Sequence, residues 1–195
     1  MCKLKLDVGI IMDSSGSLKQ HYDDEKAFLK VLMAHFGLSE RGTRAGVIIF
    51  AHEAGLVIKL GDHNSSTSFN GAVDKIPLIG TYSRIDKALR LSQKELFAKE
   101  NGARQGVPKV LILLTDGIQT EEIGYEIPDL VAKEIRGAGV KLLVVGIGHG
   151  ANKAQLMKLA GGKREDVFHA STFKELTTTS FIDAIVRRSC TPGEK

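Results

Sequence analysis

At 195 residues, 43% hydrophobic and 26% charged, the chain has an ordinary globular composition and the length to bury a substantial core. Its formal net charge of +4 comes without any block of five or six like charges, and Arg187-Arg188 is its sole Arg-Arg pair, which excludes a nucleic-acid footprint. No stretch approaches about eighteen uninterrupted apolar residues, so no membrane-inserted helix is expected.

Residues 4–12 predict a strand, buried on both faces because Val8-Gly9-Ile10-Ile11-Met12 is nearly all apolar. A helix follows over residues 23–36, with Phe28, Val31, Leu32, His35 and Phe36 at three- and four-residue spacings and Gly37 placed to stop it. Residues 44–50 predict a second buried strand, and residues 54–60 an antiparallel edge strand joined to it as a hairpin. A polar loop over 61–68 leads into a short helix over 68–75, ended by Pro77. Residues 85–99 carry Ile85, Ala88, Leu89, Leu91, Leu96 and Phe97 in amphipathic helical order. Residues 109–115 form the most apolar strand and are therefore expected at the centre of the sheet. A helix over 128–136 with Pro in its first turn, a strand over 140–147, a helix over 152–160, a short strand over 166–169 and a final helix over 173–188 complete the order. Buried strands alternating with amphipathic helices define a doubly wound α/β fold, Rossmann-like, with helices on both faces of the sheet. We expect one domain over 1–195, with a core at about 5–188 and short tails.

Two cysteines, Cys2 and Cys190, stand just inside the two ends, and the interior has none. Their placement predicts a bridge tying the termini together, with about 5 kcal/mol as the chain-entropy ceiling for so long a loop. Such a bridge requires an oxidising, extracellular compartment; two unrelated free thiols are the alternative. Asn64-Ser65-Ser66 is an N-glycosylation sequon in a polar loop and agrees with that compartment. Residues 1–7 do not read as a signal peptide, because Asp7 interrupts the apolar run, which leaves a cytosolic protein or a mature or excised domain.

The densest chemistry lies at the end of the first strand, in Asp13-Ser14-Ser15-Gly16-Ser17. Asp13, Ser15 and Ser17 offer one carboxylate and two hydroxyls on alternate positions. That all-oxygen, low-charge set suits a hard divalent cation. In a doubly wound sheet, ligands gather beyond the carboxyl ends of the strands. The strand over 109–115 delivers Thr115 and Asp116 to that edge, and Gly80-Thr81-Tyr82-Ser83, ahead of a helix, brings Thr81 there. Each part also has a plain reading, as a helix cap or a turn; the convergence of three loops is what points to a metal.

On these residues the chain resembles a von Willebrand factor type A domain, and with it the inserted domain of integrin α subunits. The family's metal-ion-dependent adhesion site has Asp-x-Ser-x-Ser, a distant Thr and a distant Asp, matched by Asp13, Ser15, Ser17, Thr81 and Asp116. The resemblance runs from Leu6 to Arg188 and implies sheet order 3-2-1-4-5-6 with one antiparallel edge strand. It implies a divalent cation, Mg²⁺ first, with Mn²⁺ or Ca²⁺ as alternatives, and an adhesion module that binds an acidic residue of a matrix or cell-surface protein such as collagen. It further implies a secreted, multidomain parent protein. Ser83 stands where many members carry a second Thr. Some members also couple a change in metal coordination to movement of the final helix.

Other functions fit less well, and no enzyme is expected. Gly146-Ile147-Gly148-His149-Gly150 lacks the spacing of a dinucleotide fingerprint and a phosphate-contacting Lys. Ser15 or Ser17 paired with His52 or His149 lacks a nucleophile elbow. An intracellular scaffold of the same family is the alternative if the cysteines are free thiols. A cation-independent face is the alternative for matrix binding, drawing on Lys133, Arg136, Lys141, Lys158, Lys163, Arg164 and Arg187-Arg188.

Overall fold

The computed structural model describes residues 5–116 and 119–191. Six strands form one sheet: β1 (Asp7–Asp13), β2 (Arg44–Phe50), β3 (Ala54–Ile58), β4 (Lys109–Thr115), β5 (Lys141–Ile147) and β6 (Val167–Ala170). Their order is β3-β2-β1-β4-β5-β6, as the resemblance implies, and only the β2–β3 pair is antiparallel. β1 is central: all seven of its residues are buried, and it pairs in parallel with β2 on one side and β4 on the other. Asp13 lies opposite Phe50, and Met12 opposite Leu114, so Asp13 and Thr115 reach the same edge of the sheet together.

Alternation along β1 divides the core in two. Val8, Ile10 and Met12 pack into the face covered by α1 (Tyr22–Phe36), α2 (Ser66–Asp74) and α6 (Thr179–Cys190), among Phe28, Leu32, Phe69 and Ile182. Ile11 points to the face covered by α3 (Ile85–Leu91), α4 (Pro128–Gly137) and α5 (Lys153–Leu159), among Leu89, Val131 and Leu156. α1 ends where Gly37 takes a φ of 72° and returns its N–H to the Met33 carbonyl, the left-handed cap that the sequence predicts.

The elements depart from the sequence-based expectation at both long helices. The helix expected over 85–99 is α-helical only to Leu91; residues Ser92–Leu96 widen into a π-helical turn, with the Ser92 hydroxyl donating to the Leu89 carbonyl at 2.7 Å. That turn drops Leu96 into a notch on the sheet: a Cβ on Gly9 would lie 2.3 Å from Leu96 Cδ2, and one on Gly46 would lie 2.6 Å from its Cδ1. Two strand glycines thus make room for one leucine, a pairing that helical periodicity does not report. The final helix breaks at Thr178, whose ψ of 142° separates a 3-10 turn over Phe173–Thr177 from α6. A further 3-10 turn, Gly16–His21, joins β1 to α1 where loop was expected.

The expected Cys2–Cys190 bridge has one end at the close of α6, and Cys2 lies outside the described residues. Asn64 is exposed in the loop ahead of α2, where Ser65 caps the helix by accepting the Ser68 N–H.

Gly9→Ala tests the notch. Forcing a methyl group against Leu96 is expected to cost about 1–3 kcal/mol in a urea unfolding titration, with the transition slope unchanged. A variant as stable as the parent would show that Leu96 moves aside freely.

Candidate metal centre

Two loops at the carboxyl edge of the sheet are stitched together by their own backbones. The N–H of Gly16 donates to the Thr81 carbonyl at 2.8 Å, and that of Gly80 donates to the Ser14 carbonyl at 2.8 Å. Ser14, fully buried, accepts the Ile79 N–H on its hydroxyl at 2.8 Å. Close approach demands small residues here: a Cβ on Gly16 would sit 3.0 Å from the Gly80 carbonyl oxygen, and Gly80 itself has a φ of 81°. The third loop is tied in through the Asn152 N–H, which donates to the Asp116 carbonyl at 3.1 Å.

All five residues expected at the site converge there. Asp13 is fully buried; Oδ1 accepts the Ser15 N–H at 2.9 Å, and Oδ2 accepts from Thr115 Oγ1 at 3.2 Å. Ser83 lies 3.4 Å from both carboxyl oxygens. Ser15 and Ser17 hydroxyls are 3.1 Å apart, and Ser17 donates to Asp116 Oδ2 at 3.3 Å. A shallow pocket of about 220 Å³ is lined by Ser15, Ser17, Thr81, Ser83 and Asp116, together with Tyr82 and Thr120. Asp13 is hydrogen-bonded to Ser15 and Ser83 of that lining, while Ser17 and Thr81 are exposed.

This pocket lacks positive charge. Among the described residues, no Lys or Arg lines it. Burial, more than the hydrogen bonds from Ser15 and Thr115 can offset, pushes the Asp13 carboxyl up from its ordinary 3.8 to about 6, and the nearby Asp116 carboxylate adds to the effect. The neighbouring Arg84 is committed elsewhere. It pairs with Asp86 at 2.7 Å and with Glu122. Burial alone would raise the Asp86 carboxyl, but the hydrogen bonds from Arg84, the Glu126 N–H and Gln119 hold it down at about 2. The Asp116 carboxylate and several hydroxyls line this pocket, with Asp13 hydrogen-bonded to Ser15 and Ser83 of the lining, and that donor set fits a hard divalent cation. Among the described residues no group of three or more His, Cys, Asp or Glu is arranged to hold a metal, so the donor set is mainly hydroxyl.

Three neighbours matter that the ligand pattern does not single out. Ser83 and Thr115 steady Asp13. Glu25, on α1, is fully buried with neither carboxyl oxygen hydrogen-bonded among the described residues. Burial first, and then the charges of Asp13, Asp116 and Asp24, push it well above the ordinary carboxylate range. A sequence signal existed, since Glu25 lies three residues before Phe28 on the apolar face, but Asp23 and Asp24 beside it read as a solvated first turn. His52 contacts Thr81 Oγ1 through Nδ1 at 2.8 Å rather than either serine. His149 lines a different pocket, with His21 and Phe173.

The family model of the von Willebrand factor type A domain matches residues 7–182, and the chain belongs to that family. It is 31% identical to the mouse collagen alpha-6(VI) chain over 98% of its own length, and 27% identical to chicken matrilin-3 over 88%. It spans only 8% of that collagen chain and 38% of the matrilin. Among solved structures, proximal thread matrix protein 1 from the mussel byssus, with zinc in its MIDAS motif, superposes with a TM-score of 0.84 at 29% identity. That match covers 97% of this chain and 46% of the mussel protein.

Glu25 yields a stability prediction. Its folded-state pKa lies above its unfolded value, so the folded protein binds the extra proton and stability falls as pH rises above the ordinary carboxylate range. In EDTA, Glu25→Leu is expected to gain about 1–3 kcal/mol at pH 7.5, the cost of a buried polar group without a partner. Its melting temperature should also fall less than the parent's between pH 5 and 8. Parallel melting curves for the two proteins would contradict this reading.

Proposed function

We propose that the chain is a non-catalytic adhesion module that binds an acidic residue of an extracellular matrix protein through a divalent cation, Mg²⁺ in the first instance. The single observation that carries this reading is the pocket lined by Asp116, Ser15, Ser17 and Thr81, with Asp13 hydrogen-bonded to its lining residues Ser15 and Ser83 and no Lys or Arg lining it among the described residues. Ser15, Ser17 and Thr81 are neutral donors. With Asp13 and Asp116 acting through water, little anionic charge touches the ion. The cation would keep much of its positive charge and offer an open position to a partner's Asp or Glu. Tyr82, exposed beside Thr81 in the pocket lining, provides apolar contact for residues flanking that carboxylate. Tyr82 is held by its hydroxyl on Glu122 at 3.0 Å, which braces the rim.

The setting is supported by the kinds of relative found, a collagen chain, a matrilin and a byssal thread matrix protein. A secreted location, a Cys2–Cys190 bridge and a glycan on Asn64 belong to the same proposal, as does a larger parent protein with collagen among its ligands. A second reading rests on a separate observation. Arg136, Lys141, Lys163 and Arg188 line a pocket of about 160 Å³ that shares no residue with the candidate metal centre, and only Asp166 among its lining residues is acidic. This is the surface for a ligand that needs no cation.

Two measurements separate these readings. Asp13→Ala is expected to abolish Mg²⁺ or Mn²⁺ binding by calorimetry with the circular dichroism of the fold retained; binding at parental strength would refute the assignment. Capture of collagens and other matrix proteins in Mg²⁺ should be lost on adding EDTA. Capture that survives chelation moves the ligand to the cationic pocket.

A further inference from the structure

His52 sits at the rim of the candidate metal centre, just past the end of β2, in a position that the adhesion-site pattern does not include. Its backbone is fixed on both sides. The Ala51 N–H donates to the Glu53 carbonyl at 2.9 Å, the Arg84 N–H to the Ala51 carbonyl at 2.9 Å, and Lys87 Nζ to the His52 carbonyl at 2.9 Å. From this platform His52 meets one atom twice: its own N–H donates to Thr81 Oγ1 at 3.2 Å, and its ring Nδ1 lies 2.8 Å from the same oxygen.

A threonine hydroxyl has one O–H to donate and two lone pairs to offer. The His52 N–H takes one lone pair. Were Nδ1 also a donor, it would take the second, and Thr81 would have nothing left for a cation. With Nδ1 unprotonated and the proton on Nε2, the ring accepts the Thr81 O–H instead, and the remaining lone pair is free. We propose that His52 is the positioning residue for Thr81: its Nδ1 accepts the threonine proton and thereby leaves one lone pair of that hydroxyl for a divalent cation. The arrangement is an outer-shell hydrogen bond of the kind that orients metal ligands. It rests on the assignment of Thr81 as a ligand.

The test uses the whole 195-residue chain with Mn²⁺ as probe. His52→Ala is expected to weaken Mn²⁺ binding by about 10-fold, the lower end for an outer-shell partner, with the melting temperature in EDTA unchanged. His52→Asn, which can place an amide oxygen near the position of Nδ1, should recover most of that loss. In the Mg²⁺-loaded protein, the ¹⁵N spectrum of the His52 ring should show Nδ1 unprotonated and Nε2 carrying hydrogen. Mn²⁺ affinity unchanged in His52→Ala, or a hydrogen found on Nδ1, would overturn the inference while leaving the metal site standing. Loss of Zn²⁺ affinity alone would also overturn it, since that outcome makes His52 a direct nitrogen ligand. A parent chain that binds no divalent cation, or Asp13→Ala that binds as the parent does, would remove the underlying site and this inference with it.

Discussion

The burial of the Asp13 carboxyl at the end of the central strand is the constraint on which the rest of this protein's candidate site depends. A carboxyl without access to water needs hydrogen-bond donors or a cation, and three separate segments supply donors to it: Ser15 from its own loop, Ser83 from the loop before α3 and Thr115 from the end of β4. Those donors do not offset the burial, which pushes the Asp13 carboxyl up to about 6. The remaining deficit, with Asp116 nearby and no Lys or Arg lining the adjoining pocket among the described residues, is what the proposed divalent ion would offset.

Holding two carboxyls close together requires a rigid frame, and much of the surrounding structure can be understood as that frame. The reciprocal backbone bonds between residues 14–16 and 80–81 fix one side, with Ser14 pinned to Ile79. On the other side, Arg84 is bound to Asp86 and Glu122, and Gln119 accepts the Ile85 N–H at 2.7 Å. Arg90 reaches further to Glu126 on the same loop and to Glu134 on α4. These ion pairs keep strong positive charge close to the site yet out of it. The arrangement leaves the pocket electronegative and its rim braced. Glu25 is a buried acid with no hydrogen-bond partner among the described residues, and the charges of Asp13 and Asp116 disfavour its ionisation.

The order and type of the strands were legible in the sequence because strands buried on both faces read as unbroken apolar runs; β2 and β4 fall on the expected residues. The helices were legible where a single face is apolar, as in α1 and α4. They were not legible where packing overrides period: the π-helical turn at Ser92 exists because Leu96 fits over Gly9 and Gly46, residues far away in sequence. Among the site residues, Asp13, Ser15 and Ser17 stand out by local spacing. Thr81 and Asp116 required strand-end topology together with the family pattern. His52 was noticed as a histidine at the right edge, but its partner could not be foreseen.

The sequence by itself determined which strands are buried, which loops leave their carboxyl ends, and which hydroxyl and carboxyl groups those loops carry, because these properties follow from local periodicity and residue chemistry. Only the tertiary structure decided how much water reaches Asp13, why Arg84 stays out of the pocket and which side chain meets the Thr81 hydroxyl. Burial, charge compensation and hydrogen-bond direction depend on residues brought together from distant parts of the chain, and local spacing does not encode them.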